Sequence, residues 1–232
     1  MSGLYVITGS SRGLGLALAK LLAERGDQVI GLSRSEGEFS HQNYTHEICD
    51  ITNEEEVKTF FNELRQKGLL FCLINNAGIA TSIPALMMKS NTFEETLRVN
   101  LLGAFTVTRE ALKLMKRQRF GRIVNMSSIN VKLSSAGGIA YNASKAGLES
   151  ISHTISSEIS SSEDITTNNI GVSLMDGSGM VEGLSEKALN DKITFLKRTA
   201  LLEPEEILHA VDFFASEKAT NITGQTVYFG GL

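Results

Sequence analysis

Leu4-Tyr5-Val6-Ile7-Thr8-Gly9-Ser10-Ser11-Arg12-Gly13-Leu14-Gly15-Leu16-Ala17-Leu18-Ala19 is the stretch that decides the fold. Its first residues form a short apolar run of the kind that makes a buried strand. The glycines stop that run, and Leu14, Leu18, Leu21 and Leu22 then repeat at helical spacing until Gly26 ends the pattern. A strand feeding a helix through a glycine-rich turn opens a β-α-β unit, and the turn aims backbone amides at the helix N-terminus, where a pyrophosphate can bind. The glycines are spaced G-x-x-x-G-x-G, not in the commoner G-x-G-x-x-G order. Gly9, Ser11, Arg12, Gly13, Leu14 and Gly15 are therefore candidate phosphate-loop residues.

Outward from this unit the same alternation runs to the end of the chain. Strands are expected at about 4–8, 28–33, 44–49, 70–75, 121–127, 169–175 and 225–229, and crossover helices at about 13–25, 53–67, 92–118, 140–160 and 204–216. Thr52 with Glu55 and Asn91 with Glu94 read as capping boxes, and Pro204 sits where a first helical turn accepts proline. Alternating elements of this kind predict an α/β chain, a doubly wound Rossmann fold with a parallel seven-stranded sheet and helices on both faces. With 232 residues and no linker or repeat, one domain over 1–232 is expected. The weakly patterned stretch from Asp176 to Ala200 is read as a substrate flap with one short helix, at about 176–200.

Composition excludes several classes. A net charge of −4 and a pI near 5.7, without a basic run, give no means of neutralising a nucleic-acid backbone. No apolar segment approaches bilayer length and no secretory leader is evident, so a cytoplasmic protein without membrane association is expected. Cys49 and Cys72 lie in strand-like stretches and read as buried free thiols. His41, His46, His153 and His209 lack ligand spacing, so no metal is expected and surface or packing roles suffice for them.

The second strand ends Gly31-Leu32-Ser33-Arg34, at the position that faces the adenosine ribose of a bound dinucleotide. A carboxylate there would bond the 2′-hydroxyl of NADH, whereas Arg34, with Arg12 closing from the phosphate loop, suits a 2′-phosphate. NADPH is therefore favoured over NADH, and Ser33 joins Arg34 as a candidate contact. Tyr141 and Lys145 stand four apart at the start of a predicted helix, on one face, with Ser128 thirteen residues before the tyrosine at the end of a predicted strand. A free phenol titrates near pH ~10 and needs a neighbouring cation to exchange protons near neutrality; Lys145 supplies it.

At this point the chain resembles the short-chain dehydrogenase/reductase family, through Thr8-Gly9 to Gly15, Asn75-Asn76-Ala77-Gly78, Asn100, Ser128, and Tyr141 to Lys145, with Ile222-Thr223-Gly224-Gln225 before the last strand. Within it the chain is most similar to 3-oxoacyl-(acyl-carrier-protein) reductases, given Gly121-Arg122-Ile123-Val124-Asn125 leading to Ser127-Ser128. The resemblance implies carbonyl reduction by a nicotinamide cofactor, with Tyr141 protonating the oxygen, Ser128 hydrogen-bonding it, Lys145 binding the nicotinamide ribose, and Asn100 holding a water in the proton relay. It also implies that Asp50 and Ile51 flank the adenine, that Asn76, Ala77 and Gly78 line the cofactor channel, and that Gly177 sits near the nicotinamide. The family's Pro-Gly with a following threonine is here Asp176-Gly177-Ser178, a departure at the nicotinamide end.

Three functions are consistent with these residues. They are a reductase of 3-oxoacyl thioesters, free or carrier-bound in the family manner; a reductase or dehydrogenase of a sugar, polyol or other small carbonyl; and a nucleotide-binding regulatory protein without turnover. Arg119 corresponds to a basic carrier-facing position of the family, but its companion position is Ser162, within the acidic run Glu158 to Asp164. Met87, Met88, Met180 and Leu184 are candidates for an apolar pocket. By family analogy a homodimer or homotetramer is expected, through the helices at about 92–118 and 140–160 and the last strand.

Overall fold

The short apolar runs pair as parallel strands. The computed structural model describes residues 3–175 and 201–231; the expected flap, with Asp176, Gly177, Met180 and Leu184, lies outside the described residues. The strands are β1 (Leu4–Thr8), β2 (Gln28–Ser33), β3 (Tyr44–Ile48), β4 (Leu70–Asn75), β5 (Phe120–Ser128), β6 (Asp164–Val172) and β7 (Thr226–Tyr228). They form one seven-stranded sheet in the order β3-β2-β1-β4-β5-β6-β7 with every pairing parallel, the doubly wound arrangement expected.

The helices cover both faces. On one, α1 (Gly13–Glu24) and α7 (Pro204–Ala215) pack together, burying Leu18, Leu22, Ile207, Val211 and Phe214 against the sheet. On the other, α2 (Glu54–Lys67), α4 (Ala104–Gln118) and α6 (Ile139–Glu158) bury Val57, Phe61, Leu64, Val107 and Met115 among their contacts. Apolar cover on both sides explains why the inner strands read as continuous hydrophobic runs. Cys49 and Cys72 are both buried free thiols, as expected.

Four local expectations need correction. The sixth strand begins at Asp164, not at 169, and ends at Val172. Its first half, Thr166-Thr167-Asn168-Asn169, is polar yet fully buried, because partners elsewhere satisfy it: Asn168 Nδ2 donates to the Ile222 oxygen at 2.7 Å, and Ser152 Oγ meets Thr167 Oγ1 at 2.9 Å. The helix expected over 92–118 is two helices, α3 (Ser90–Leu97) and α4, joined by a wide π turn at Arg98–Gly103. The cap of α2 is Asn53, which accepts from the Glu55 and Glu56 amides and donates to Glu56, in place of Thr52 with Glu55. Lys89, without a side-chain cap, precedes α3, so Asn91 with Glu94 is no capping box. Pro204 does open α7, within a Glu203–Glu206 capping box.

A row of amides crosses the middle of the sheet. Asn75, Asn125, Asn169 and Thr226 lie opposite one another on β4 to β7. Asn75 Nδ2 donates to Asn125 Oδ1 at 2.8 Å, Asn125 Nδ2 to Asn169 Oδ1 at 3.1 Å, and Asn169 Nδ2 to Thr226 Oγ1 at 3.0 Å. Asn75 also reaches Thr108 of α4 at 2.8 Å, so the row faces the α4 side.

Candidate active site

Because all strands run parallel, the loops after β1, β2, β4, β5 and β6 gather at one edge of the sheet, and the crevice between β1 and β4 is where the winding reverses. The phosphate loop follows β1 there. Gly9 has φ +72°, and a Cβ on it would lie 2.8 Å from the Ala77 Cα. At Gly15 a Cβ would lie 2.3 Å from the Gly9 oxygen, so close approach, not backbone freedom, demands glycine there. The adjoining Thr8, which opens the glycine motif but was not a candidate site residue, is the bracket of the crevice: its Oγ1 accepts from the Asn76 and Ala77 amides, both at 3.0 Å. Asn76 returns its Nδ2 to the Thr8 and Gly9 oxygens at 3.0 and 3.2 Å. That side chain therefore clamps the phosphate loop to β4, while Gly78 opens the space beyond.

A Cβ on Gly78 would lie 3.2 Å from Asn100 Oδ1 and 3.5 Å from Lys145 Nζ, which brings three expected residues together. Asn100 is fully buried in the π turn. Its Oδ1 accepts from the Ile79 amide at 2.8 Å, and its Nδ2 donates to the Ile79 oxygen at 2.8 Å and to Ser144 Oγ at 3.0 Å. Ser144 in turn donates to the Tyr141 oxygen at 2.7 Å. The widened turn thus holds Asn100 against both the β4 loop and the first turn of α6. Ser144 was not anticipated, because its role is visible only once α6 packs beside the π turn.

Tyr141 and Lys145 sit one turn apart on α6, both buried, and the ammonium lies 5.9 Å from the centre of the phenol ring. Lys145 donates to the Met126 oxygen at 2.7 Å, and burial lowers its pKa from 10.5 to about 8. Burial pushes the Tyr141 phenol above its ordinary value, with a hydrogen bond from the Ser128 side pulling the other way. Ser128 ends β5, buried, and its Oγ accepts from the Asn130 amide at 3.2 Å.

After β1 and at the tip of β2, Arg12 and Arg34 are exposed, and neither guanidinium has a hydrogen-bonded partner among the described residues. Asp50 accepts from the Thr52 amide and hydroxyl at 2.9 and 2.8 Å. Burial opposes its ionisation, but those bonds and the charges of Arg34 and Arg98 outweigh it and hold the carboxyl below its ordinary range. Ile51 is buried against the π turn, where a Cβ on Gly103 would lie 2.9 Å from it. Leu14, in the first turn of α1, packs against the core. Ser33 is buried, its hydroxyl turned onto the Ser35 oxygen.

The family model described as short chain dehydrogenase matches residues 4–189. The chain belongs to that family. Among curated relatives of this short-chain dehydrogenase, the 3-oxoacyl-(acyl-carrier-protein) reductase FabG of Rickettsia conorii is 35% identical over 232 residues, spanning 97% of this chain and 94% of the relative. The FabG of Vibrio cholerae is 33% identical over 242 residues, spanning 97% and 95%. Among solved structures, the ligand-free aldohexose dehydrogenase of Thermoplasma acidophilum superposes with a TM-score of 0.89 at 27% identity, covering 100% of this chain and 94% of that one. This short-chain dehydrogenase is accordingly an oxidoreductase acting on hydroxyl or carbonyl groups. No helix among its described residues is long and apolar enough to cross a membrane.

Proposed function

We propose that this short-chain dehydrogenase reduces the ketone of a 3-oxoacyl thioester with NADPH. The observation that carries the reading is a connected cluster: Asn100 and Lys145 meet beside Gly78, Tyr141 lies beside Lys145, and Ser128 adjoins Tyr141. The residues fit a nicotinamide dinucleotide: the glycine loop ends at the N-terminus of α1, Gly9 and Gly15 allow close backbone approach there, Gly78 leaves room beside Asn100 and Lys145, and the exposed Arg12 and Arg34 make no hydrogen bond to a described residue. When bound, the reduced nicotinamide supplies the hydride for the carbonyl carbon.

The rest is work for the chain's own side chains. Tyr141 donates its phenolic proton to the ketone oxygen, and the Ser128 hydroxyl hydrogen-bonds that oxygen as charge develops on it. Lys145 favours the phenolate that remains and binds the nicotinamide ribose. Asn100 holds the water that returns a proton to the pair. Asp50 and Ile51 flank the adenine, while Ser33, Arg34 and Arg12 surround the 2′-phosphate.

The thioester reading draws on the FabG relatives. Delivery by a carrier protein at Arg119 faces a geometric obstacle: Arg119 precedes β5 and Ser128 ends it, about 30 Å apart at roughly 3.3 Å per residue. Arg119 also donates to the Ser162 oxygen at 2.9 Å, within the acidic run. That observation, with the aldohexose dehydrogenase neighbour, favours as a second reading a small polar carbonyl such as a sugar. Initial rates of NADPH oxidation with an acetoacetyl thioester and with aldoses decide between them. Turnover of the thioester supports the first reading; turnover of the sugar alone replaces it with the second.

Two apolar faces support a homodimer or homotetramer. One joins Leu97, Leu101, Leu102, Phe105 and Ile151 of α3, α4 and α6; the other joins Phe213, Val227 and Phe229 beside α7 and β7.

A further inference from the structure

His46, for which the sequence suggested only a surface or packing role, sits in a chain of polar contacts that ties two loops of the nucleotide site together. On β3, Tyr44 and His46 project to the same face, and His46 lies opposite Gly31 of β2. A Cβ on Gly31 would lie 2.2 Å from Ser10 Oγ and 2.3 Å from the Tyr44 hydroxyl, so the missing side chain is the space in which these hydroxyls meet. The Tyr44 hydroxyl is 3.2 Å from Ser10 Oγ and 2.8 Å from His46 Nδ1. On the far side of the ring, His46 Nε2 is 3.0 Å from Ser33 Oγ and 2.9 Å from the Ser35 oxygen. Phe39 packs on Tyr44 with ring centres 4.9 Å apart, roofing the connection.

The protons can be placed without conflict. Ser33 gives its hydroxyl proton to the Ser35 oxygen, and a carbonyl can only accept, so His46 Nε2 carries a hydrogen and serves both. With a neutral ring, the Tyr44 proton goes to Nδ1 and Ser10 donates to the phenol oxygen. With a charged ring, Nδ1 donates to the phenol oxygen and Tyr44 donates to Ser10. Either placement keeps every contact.

Each end of this chain adjoins one of the two exposed arginines, neither hydrogen-bonded to a described residue. Ser33 and Ser35 flank Arg34, and Ser10 is fully buried two residues before Arg12. We propose that His46 is the positioning residue of the adenosine 2′-phosphate pocket, holding the Arg34 loop and the phosphate loop at the spacing that presents both guanidinium groups to one phosphate. The inference rests on the NADPH reading and extends it to a side chain on the third strand, outside the nucleotide-binding motifs.

The test is the dissociation constant of NADPH and of NADH, by titration of the full chain, in the wild type, His46→Leu, His46→Gln and Arg34→Ala, with a thermal melt for each. His46→Leu is expected to weaken NADPH by about tenfold, the worth of a lost hydrogen-bonded tie, while NADH shifts by no more than about twofold. His46→Gln, whose amide can still donate to the Ser35 oxygen, should recover much of the loss. Should His46→Leu fail to fold, Tyr44→Phe cuts the same chain at the phenol and is expected to show the same selective loss. Equal weakening of both nucleotides, or none, overturns the inference. If Arg34→Ala selectively loses NADPH and the His46 and Tyr44 variants do not, this inference alone fails. If the wild type binds NADH as tightly as NADPH, the cofactor reading fails and the inference with it.

Discussion

Lys145 of α6 donates to the main-chain oxygen of Met126 at 2.7 Å, so the amine is anchored to the strand that ends in Ser128. Its burial carries a pH signature. With a pKa lowered from 10.5 to about 8, the ammonium that favours proton transfer at Tyr141 is lost as pH rises through that value. Ketone reduction is expected to hold steady below about pH 8 and to decline above it, and Lys145→Arg, which keeps its charge, should flatten the alkaline limb whatever its maximal rate. The stability consequence has the opposite slope. Between about 8 and 10.5 the unfolded chain binds more protons at this site than the folded one, so stability gains from Lys145 as pH rises through that window. Denaturant melts at about pH 7.5 and about pH 9.5 should show this gain in the wild type and lose it in Lys145→Met.

Tyr141→Phe removes the proposed proton donor and leaves a buried ring in place. Reduction should fall by at least about a hundredfold, the usual scale for a positioned acid. Circular dichroism and the melting temperature should stay close to wild type; a variant that retains its rate removes Tyr141 from the mechanism.

Arg34→Glu replaces the cation at the ribose end with a carboxylate. NADPH affinity is expected to fall roughly ten- to a hundredfold and NADH affinity to hold or rise, as charge-assisted contacts to a phosphate become repulsion. Isothermal titration with both nucleotides reads the change, and an unaltered NADPH constant would place the 2′-phosphate elsewhere.

Asn125→Leu breaks the amide row at its centre: buried Asn75 keeps Thr108 and buried Asn169 keeps Thr226, but one Asn75 N–H and the Asn169 Oδ1 lose their partner. The expected loss is about 2–4 kcal/mol of folding stability, the scale of two buried hydrogen-bonding atoms each deprived of a bond. Urea unfolding measures it.

Leu102 is 56% exposed on the α3–α4–α6 face. Leu102→Asp is expected to shift the assembly to a smaller species in light scattering without unfolding it; an unchanged mass would move the interface to the α7–β7 face.

What the sequence disclosed was what is local. The phosphate loop, the Arg34 tip and the Tyr141–Lys145 spacing are set by neighbours along the chain, and each could be read from a few consecutive residues. The start of β6 could not: Asp164 to Asn169 has the composition of a loop and becomes a buried strand only because Ser152, Ile222, Thr223 and Gln225 satisfy its polar groups across large separations. The π turn has the same character. Nothing within Arg98 to Gly103 announces it, since its anchors are Ile79 and Ser144. His46 likewise shows its partners only once β2 and β3 lie side by side.

The amide row bears on alignment. A strand covered by helices on both sides has no wet face to tell it where to stop, and β5 could slide by two residues along β4 with its apolar side chains still inside. The same slide would part Asn75 from Asn125 and Asn125 from Asn169, leaving amides buried without partners at about 1–3 kcal/mol each. The row therefore keys the strands to one another like teeth. Asn75 immediately precedes Asn76, and Ser128 follows Asn125 by three residues on the same strand, so whatever keys the strands also gauges the distance between the Asn76 clamp and the Ser128 hydroxyl.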